Sequence, residues 1–168
     1  MDPNQDIERL DALIDGERVT MLSRWTRDGL LHSKPMSVLR RDPEGSFWFF
    51  IQSAPGDAED EAQYRQCNLA FSQTDKGRHV SIAGRGRVVR DRELIHSMWT
   101  AAAKPWFPEG PDAQDLALLQ VVPVHAEYWD GPSNIVSRAL AMAASITAGR
   151  PIGLGEHGEV DLAPPPRT

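Results

Sequence analysis

The stretch from Thr20 to Ser53, TMLSRWTRDGLLHSKPMSVLRRDPEGSFWFFIQS, constrains this chain most, because only successive strands accommodate it. Asp28-Gly29 and Pro43-Glu44-Gly45 carry turn chemistry: Gly accepts positive φ, and Pro presets the first turn residue. The runs between them therefore pair as neighbours, predicting strands at Arg18 to Thr26, Leu30 to Arg40 and Ser46 to Gln52. Within the middle run, Lys34 is the one cation in a short polar stretch before Pro35 and Met36, which makes it a candidate anchor for an anion.

The other elements arrange themselves around this meander. Asp2 and Pro3 cap and open a helix whose Ile7, Leu10, Leu13 and Ile14 share one face. A short helix is expected from Ala58 to Gln66, then strands from Cys67 to Gln73 and from His79 to Arg90. In the second of these, Gly84 and Gly86 lie on one face and predict a bulge, a bend or a close neighbour. Asp91 caps a helix carrying Leu94, Ile95, Met98, Trp99 and Ala102, which Pro105 ends. The loop Lys104 to Asp112, stiffened by prolines, presents Trp106 and Phe107 as a lid or a subunit contact. Leu116 to Val122 and Val124 to Trp129 read as two strands parted by Pro123. Ser133 or Asn134 caps a last helix with Ile135, Val136, Ala139, Leu140, Ala143 and Ile146 as its stripe, stopped by Gly149 and Pro151. One domain over 1–150 and a polar, loosely ordered tail over 151–168 follow from this reading.

Several function classes fall away. A net charge of −6 gives no basic stripe for nucleic acid. The single cysteine, Cys67, allows neither an internal disulfide framework nor a cysteine-based zinc site. The histidines lack metal-ligand spacing, and no serine sits in a nucleophile elbow. MDPNQDIERLD does not read as a secretory signal and no apolar run reaches membrane length, so a cytoplasmic setting without membrane association is expected. Arg85 and Arg87 share one strand face and read as solvated or ion-paired side chains.

Six collinear stretches, TRDGLLHSKPMSV, SFWFF, CNLAFSQ, VSIAGRGRVVRDRE, KPWFPEGPD and AEYWDGPSN, carry a resemblance. In them the chain resembles bacterial general stress proteins of the pyridoxamine 5'-phosphate oxidase-like, FMN-binding split-barrel superfamily. The resemblance implies a mainly β (α+β) fold, a six- to seven-stranded antiparallel split β-barrel with flanking helices. It further implies FMN or FAD as cofactor, a homodimer with flavin at the subunit interface, and an unidentified small-molecule electron donor or acceptor.

A flavin mononucleotide needs cations or donors for its phosphate, an apolar wall for its ring and backbone groups at its polar rim. The candidates are Lys34, Pro35 and Met36, then Phe50, Ile51, Gln52 and Ser53, with Trp106 and Phe107 from the loop. The Ser53 hydroxyl and the N–H groups of the following helix start are expected to assist at the phosphate. No catalytic residue is identified. Two departures stand out: Lys34 takes a position usually held by arginine, and Asp57 falls where many relatives place a phosphate-binding lysine. Asp57, Glu59, Asp60 and Glu61 crowd that helix start and oppose a phosphate there. The function classes left open are a flavin-dependent oxidoreductase and a non-enzymatic stress-response module that sequesters flavin or has lost it.

Overall fold

The computed structural model describes residues 3–132, 135–150 and 155–162. Its frame is an antiparallel sheet of β1 (Val19–Trp25), β2 (Leu31–Ser37), β3 (Arg40–Arg41), β4 (Phe47–Gln52), β5 (Cys67–Gln73), β6 (Arg78–Val89), β7 (Leu116–Asp130) and β8 (Glu156–Asp161). The order across it is β2-β1-β5-β6-β7-β4-β3, with β8 also on β7. Among the described residues four α-helices flank it: α1 (Pro3–Ile14), α2 (Ala58–Ala62), α3 (Arg92–Met98) and α4 (Ile135–Ala148). This is the mainly β split barrel expected.

The predicted strand from Leu30 to Arg40 is in fact two, and the break curls the sheet. The Val38 N–H still bonds the Arg18 carbonyl on the β1 side at 2.8 Å, whereas the Leu39 N–H bonds Trp48 on the β4 side at 2.9 Å. One bent segment thereby joins both ends of the sheet. Both predicted turns form, with Gly29 and Gly45 at φ 77° and 84°.

β7 is continuous where two strands were expected. Its β4 partners end at Val121 and its β8 partners begin at His125, so Pro123 occupies the gap, where no N–H is asked of it. Opposite, β6 shifts register between Ala83 and Gly84. A Cβ on Gly84 would lie 2.6 Å from Val121 Cγ1, and one on Gly86 2.5 Å from the Tyr64 carbonyl. Both the bulge and the close neighbour predicted for this glycine pair are present.

Phe47 and Phe49 point into the barrel with Leu22, Leu69, Ile82 and Leu119, while Trp48 and Phe50 pack outside against Ile95, Met98, Leu116 and Leu118. All four aromatics of β4 are buried, each contributing on the order of 1.5–3 kcal/mol. Leu10, Leu13 and Ile14 of α1 join the interior cluster. The Asp2 cap lies outside the described residues.

Four other expectations are corrected. α2 ends at Ala62 rather than Gln66, because the Tyr64 carbonyl is taken by the Gly86 N–H at 2.9 Å. α3 ends at Met98, with Trp99 already extended at ψ 134° and a 3₁₀ turn at Ala101–Ala103 before Pro105. The tail carries β8, where Val160 is buried and the Leu162 N–H bonds the Val124 carbonyl at 2.9 Å. One buried side chain among polar neighbours leaves almost no sequence signal. Finally, Leu140 and Ile146 of the α4 stripe are 68% and 75% exposed, and among the described side chains of this helix Ala141 is the buried one. The proposed caps Ser133 and Asn134 and the stop at Pro151 lie outside the described residues.

Candidate functional site

Antiparallel register decides which way Lys34 faces. It stands opposite Leu22, which is buried in the barrel, so Lys34 lies on the inner face, half-buried. Arg24 is on the same face two residues along β1. Burial first, and Arg24 second, push the Lys34 amine below the ordinary lysine value, with Asp60 opposing. The Lys34 amine has no hydrogen-bond or ion-pair partner among the described residues. Pro35 points the other way, exposed and opposite Met21. Met36 returns to the inner face and packs on the interior cluster.

The start of α2 closes over these cations. Asp57 caps the helix, accepting from the Asp60 N–H at 3.0 Å. Its two carboxylate oxygens also accept from Arg27 Nη2, at 2.5 and 2.7 Å. Arg27 Nη1 lies 3.5 Å from Glu59, and Arg24 Nη2 lies 3.9 Å from Asp60. Arg24 donates to Gln63 Oε1, and its guanidinium carbon sits 4.6 Å from the centre of the Tyr64 ring. The Asp60 amide and then Arg27 hold the Asp57 carboxyl below the usual carboxylate range. Asp57 is thus no unopposed negative charge. Arg24 and Arg27 went unselected in the sequence because arginines flanking a turn read as solvated.

Ser53 is positioned differently from the expectation. It is 4% exposed, and its hydroxyl accepts from Arg90 Nη2 at 3.0 Å while its carbonyl accepts from Nη1 at 2.8 Å. Arg90 also reaches Glu61 at 2.8 Å. The Asp60 and Glu61 N–H groups both bond Asp57, so neither is presented to a ligand. Arg90, at the end of a strand, gave no signal distinguishing it from a surface arginine.

Phe50 and Ile51 part company, since adjacent strand residues face opposite ways. Ile51 is in the barrel interior with Met36 packed on the same cluster, whereas Phe50 lies outside, 5.6 Å from Trp99 and 5.9 Å from Phe107 between ring centres. Their side chains do not share one wall. Trp106 and Phe107 divide likewise: Phe107 joins the outer cluster and Trp106 is 69% exposed. Gln52 is exposed, 3.4 Å from Asp115, and borders with Phe107 a cleft of about 290 Å³. Arg92 ties the loop to α3 through the Pro111 and Ala113 carbonyls at 3.3 and 3.0 Å, and His96 lies 2.8 Å from Asp112.

The nominated residues therefore form two groups. Lys34 and Met36, with Arg24 and α2, make a cationic patch on the inner face of the β1–β2 hairpin. Gln52 and Phe107 border the outer cleft, and Phe50 packs on Phe107 in the buried outer cluster. Arg24 Nε is buried without a hydrogen-bond partner among the described residues, so this first group retains donor capacity for an anion. Among the described residues no cluster of three or more His, Cys, Asp or Glu could hold a metal, and no helix is long and apolar enough to cross a membrane.

The model of the family described as pyridoxamine 5'-phosphate oxidase like matches residues 5–152. The curated Neurospora crassa protein bli-3 is 23% identical over 167 residues, covering 94% of this chain and 80% of its own. The general stress FMN/FAD binding protein from Xanthomonas citri superposes with TM-score 0.63 at 26% identity, covering 78% of this chain and 92% of that one. A Clostridium acetobutylicum protein related to general stress protein 26 gives TM-score 0.63 at 19% identity, over 77% and 91% of the two chains, a likeness of fold. With the family model spanning nearly the whole barrel, the chain belongs to the pyridoxamine 5'-phosphate oxidase-like family.

Proposed function

We propose that this chain is a flavin-binding general stress protein that anchors the phosphate of FMN at Lys34. The observation that carries the reading is the half-buried, unpaired Lys34 beside Arg24 on the inner face of the hairpin. A desolvated pair of cations asks for an anion, and a phosphate monoester meets that demand. The Xanthomonas citri relative, 26% identical, is described as an FMN/FAD binding protein, which supports flavin as the owner of the phosphate. Backbone of β4 from Phe50 to Gln52, rather than its side chains, is the surface offered to the ring's polar rim. Arg24 and Lys34 would bind the phosphate, and bound flavin would supply the hydride or electron transfer.

In this reading the protein works as a cytoplasmic homodimer in a single domain, and Trp106, exposed on its loop, is offered to a second copy. A small-molecule electron donor or acceptor completes an oxidoreductase cycle. The sequestering alternative is favoured by the acids at the start of α2, which place carboxylates rather than an acid–base pair beside the cationic patch.

Titration of the purified protein with FMN, FAD and riboflavin, read by flavin fluorescence, tests the proposal. FMN should bind more tightly than riboflavin, and Lys34→Ala should remove that preference. Equal binding of FMN and riboflavin would reject the phosphate anchor. Nicotinamide oxidation by the loaded protein separates the oxidoreductase from the sequestering module.

A further inference from the structure

Arg24, Arg27 and Lys34 all belong to the β1–β2 hairpin or its turn, and each is drawn toward an acid near the start of α2. The arrangement is unequal. Arg27 is the engaged one, its Nη2 within 2.7 Å of both Asp57 oxygens and its Nη1 3.5 Å from Glu59. Arg24 stands 3.9 Å from Asp60, too far for a hydrogen bond, and its buried Nε has no partner among the described residues. The Lys34 amine has neither hydrogen bond nor ion pair among the described residues.

We infer that Asp57 is an internal stand-in for a phosphate monoester: Arg24, Arg27 and Lys34 form an anion cradle, and a phosphate entering it takes Arg27 from Asp57. Two facts favour exchange over a permanent strut. A guanidinium recognises carboxylate and phosphate through the same fork of donors, so the acceptors are interchangeable at Arg27. The Arg27 side chain is 52% exposed and that of Asp57 36%, and an ion pair so open to water is weak enough to trade. The dianion meets three cations where Asp57 meets one, so the exchange gains charge pairing. Asp57 keeps its role as cap of α2 throughout, which leaves the helix in place when Arg27 departs. The cradle's identification with the FMN phosphate rests on the flavin reading above; the cradle itself does not.

Asp57→Asn is the decisive variant. Asparagine caps a helix as well as aspartate does but offers no second carboxylate oxygen to Arg27. Lysine here would remove the cap and add a new cation, confounding the result. The full chain is titrated calorimetrically with FMN, riboflavin and inorganic phosphate, as wild type, Asp57→Asn, Arg27→Ala and the double variant. The expected result is FMN and phosphate binding strengthened roughly tenfold by Asp57→Asn, riboflavin unchanged, and the gain abolished in the double variant. Equal affinities in wild type and Asp57→Asn, or a gain that survives loss of Arg27, would overturn the cradle. If phosphate binding follows this pattern but no flavin binds, the flavin reading fails and the cradle stands. If flavin binds without regard to these residues, the cradle fails and the flavin reading stands. If neither binds, both fail.

Discussion

Arg90, the residue after β6, holds Ser53 by both its oxygens, donating to the carbonyl at 2.8 Å and to the hydroxyl at 3.0 Å. The same guanidinium reaches the Ala54 carbonyl at 3.0 Å and Glu61 at 2.8 Å, so one side chain fixes the turn between β4 and α2. Arg90→Ala is expected to lower stability by about 1–3 kcal/mol, because it leaves the nearly buried Ser53 groups without their donor. Arg90→Lys should recover only part, since a point charge cannot serve four acceptors spread around a fork. Urea midpoints of the two variants check this; equal midpoints for wild type and Arg90→Ala would reject it.

At Lys34 stability and binding should move in opposite directions. Burial and the neighbouring Arg24 charge disfavour the Lys34 ammonium in the unliganded protein, and water reaching the half-buried amine screens part of that cost. Lys34→Met keeps the length of the side chain and removes the charge. It should raise stability by about 0.5–2 kcal/mol while weakening FMN binding, the usual exchange at a ligand site. A variant that loses both would mean that Lys34 braces the barrel instead.

Gly86→Ala tests how closely β6 and the segment after α2 approach. The added Cβ would meet the Tyr64 carbonyl at 2.5 Å, a backbone atom that also accepts the Gly86 N–H at 2.9 Å. Overpacking of this kind costs about 1–3 kcal/mol. Gly110→Ala, where a Cβ has open space but φ is 83°, isolates the cost of conformation alone. Thermal melts of both variants should place Gly86→Ala lower.

Burial pushes the Cys67 thiol from 9.0 up to about 12. The folded chain therefore keeps this proton where the unfolded chain gives it up, so unfolding releases a proton above pH 9. Stability from this source is complete below pH 9 and falls as pH rises toward 12, by up to about 1.4 kcal/mol per pH unit. Tyr64, raised chiefly by burial, acts in the same direction. Urea midpoints from pH 8 to 11 should decline less steeply for Cys67→Ala than for wild type. Thiol labelling should also be slow in the native protein and immediate once it is denatured.

Much of the fold was legible because local chemistry and burial pattern agreed. Gly29 and Gly45 fixed two turns, the unbroken aromatic and β-branched run from Phe47 to Ile51 fixed a strand, and Gly84 with Gly86 announced a close neighbour. β8 was not legible, since Val160 is its single buried residue and pairing with β7 supplies the rest of its reason to form. Nor was the split at Val38 and Leu39, where the strand changes partners without any turn residue.

The candidate site shows the same division. Residue type alone made Lys34 an anion candidate, and β-strand alternation alone already required Lys34 and Pro35, or Phe50 and Ile51, to face opposite ways. What only the tertiary structure decided is which face is which and what stands across from it. Leu22 opposite Lys34 turns that amine inward, Arg24 and Arg27 arrive from the neighbouring strand and turn, and α2 brings Asp57 and Asp60 against them. Charges far apart in sequence acquire partners only when the sheet curls, because Coulomb interaction depends on distance and desolvation, and neither exists until the chain is folded.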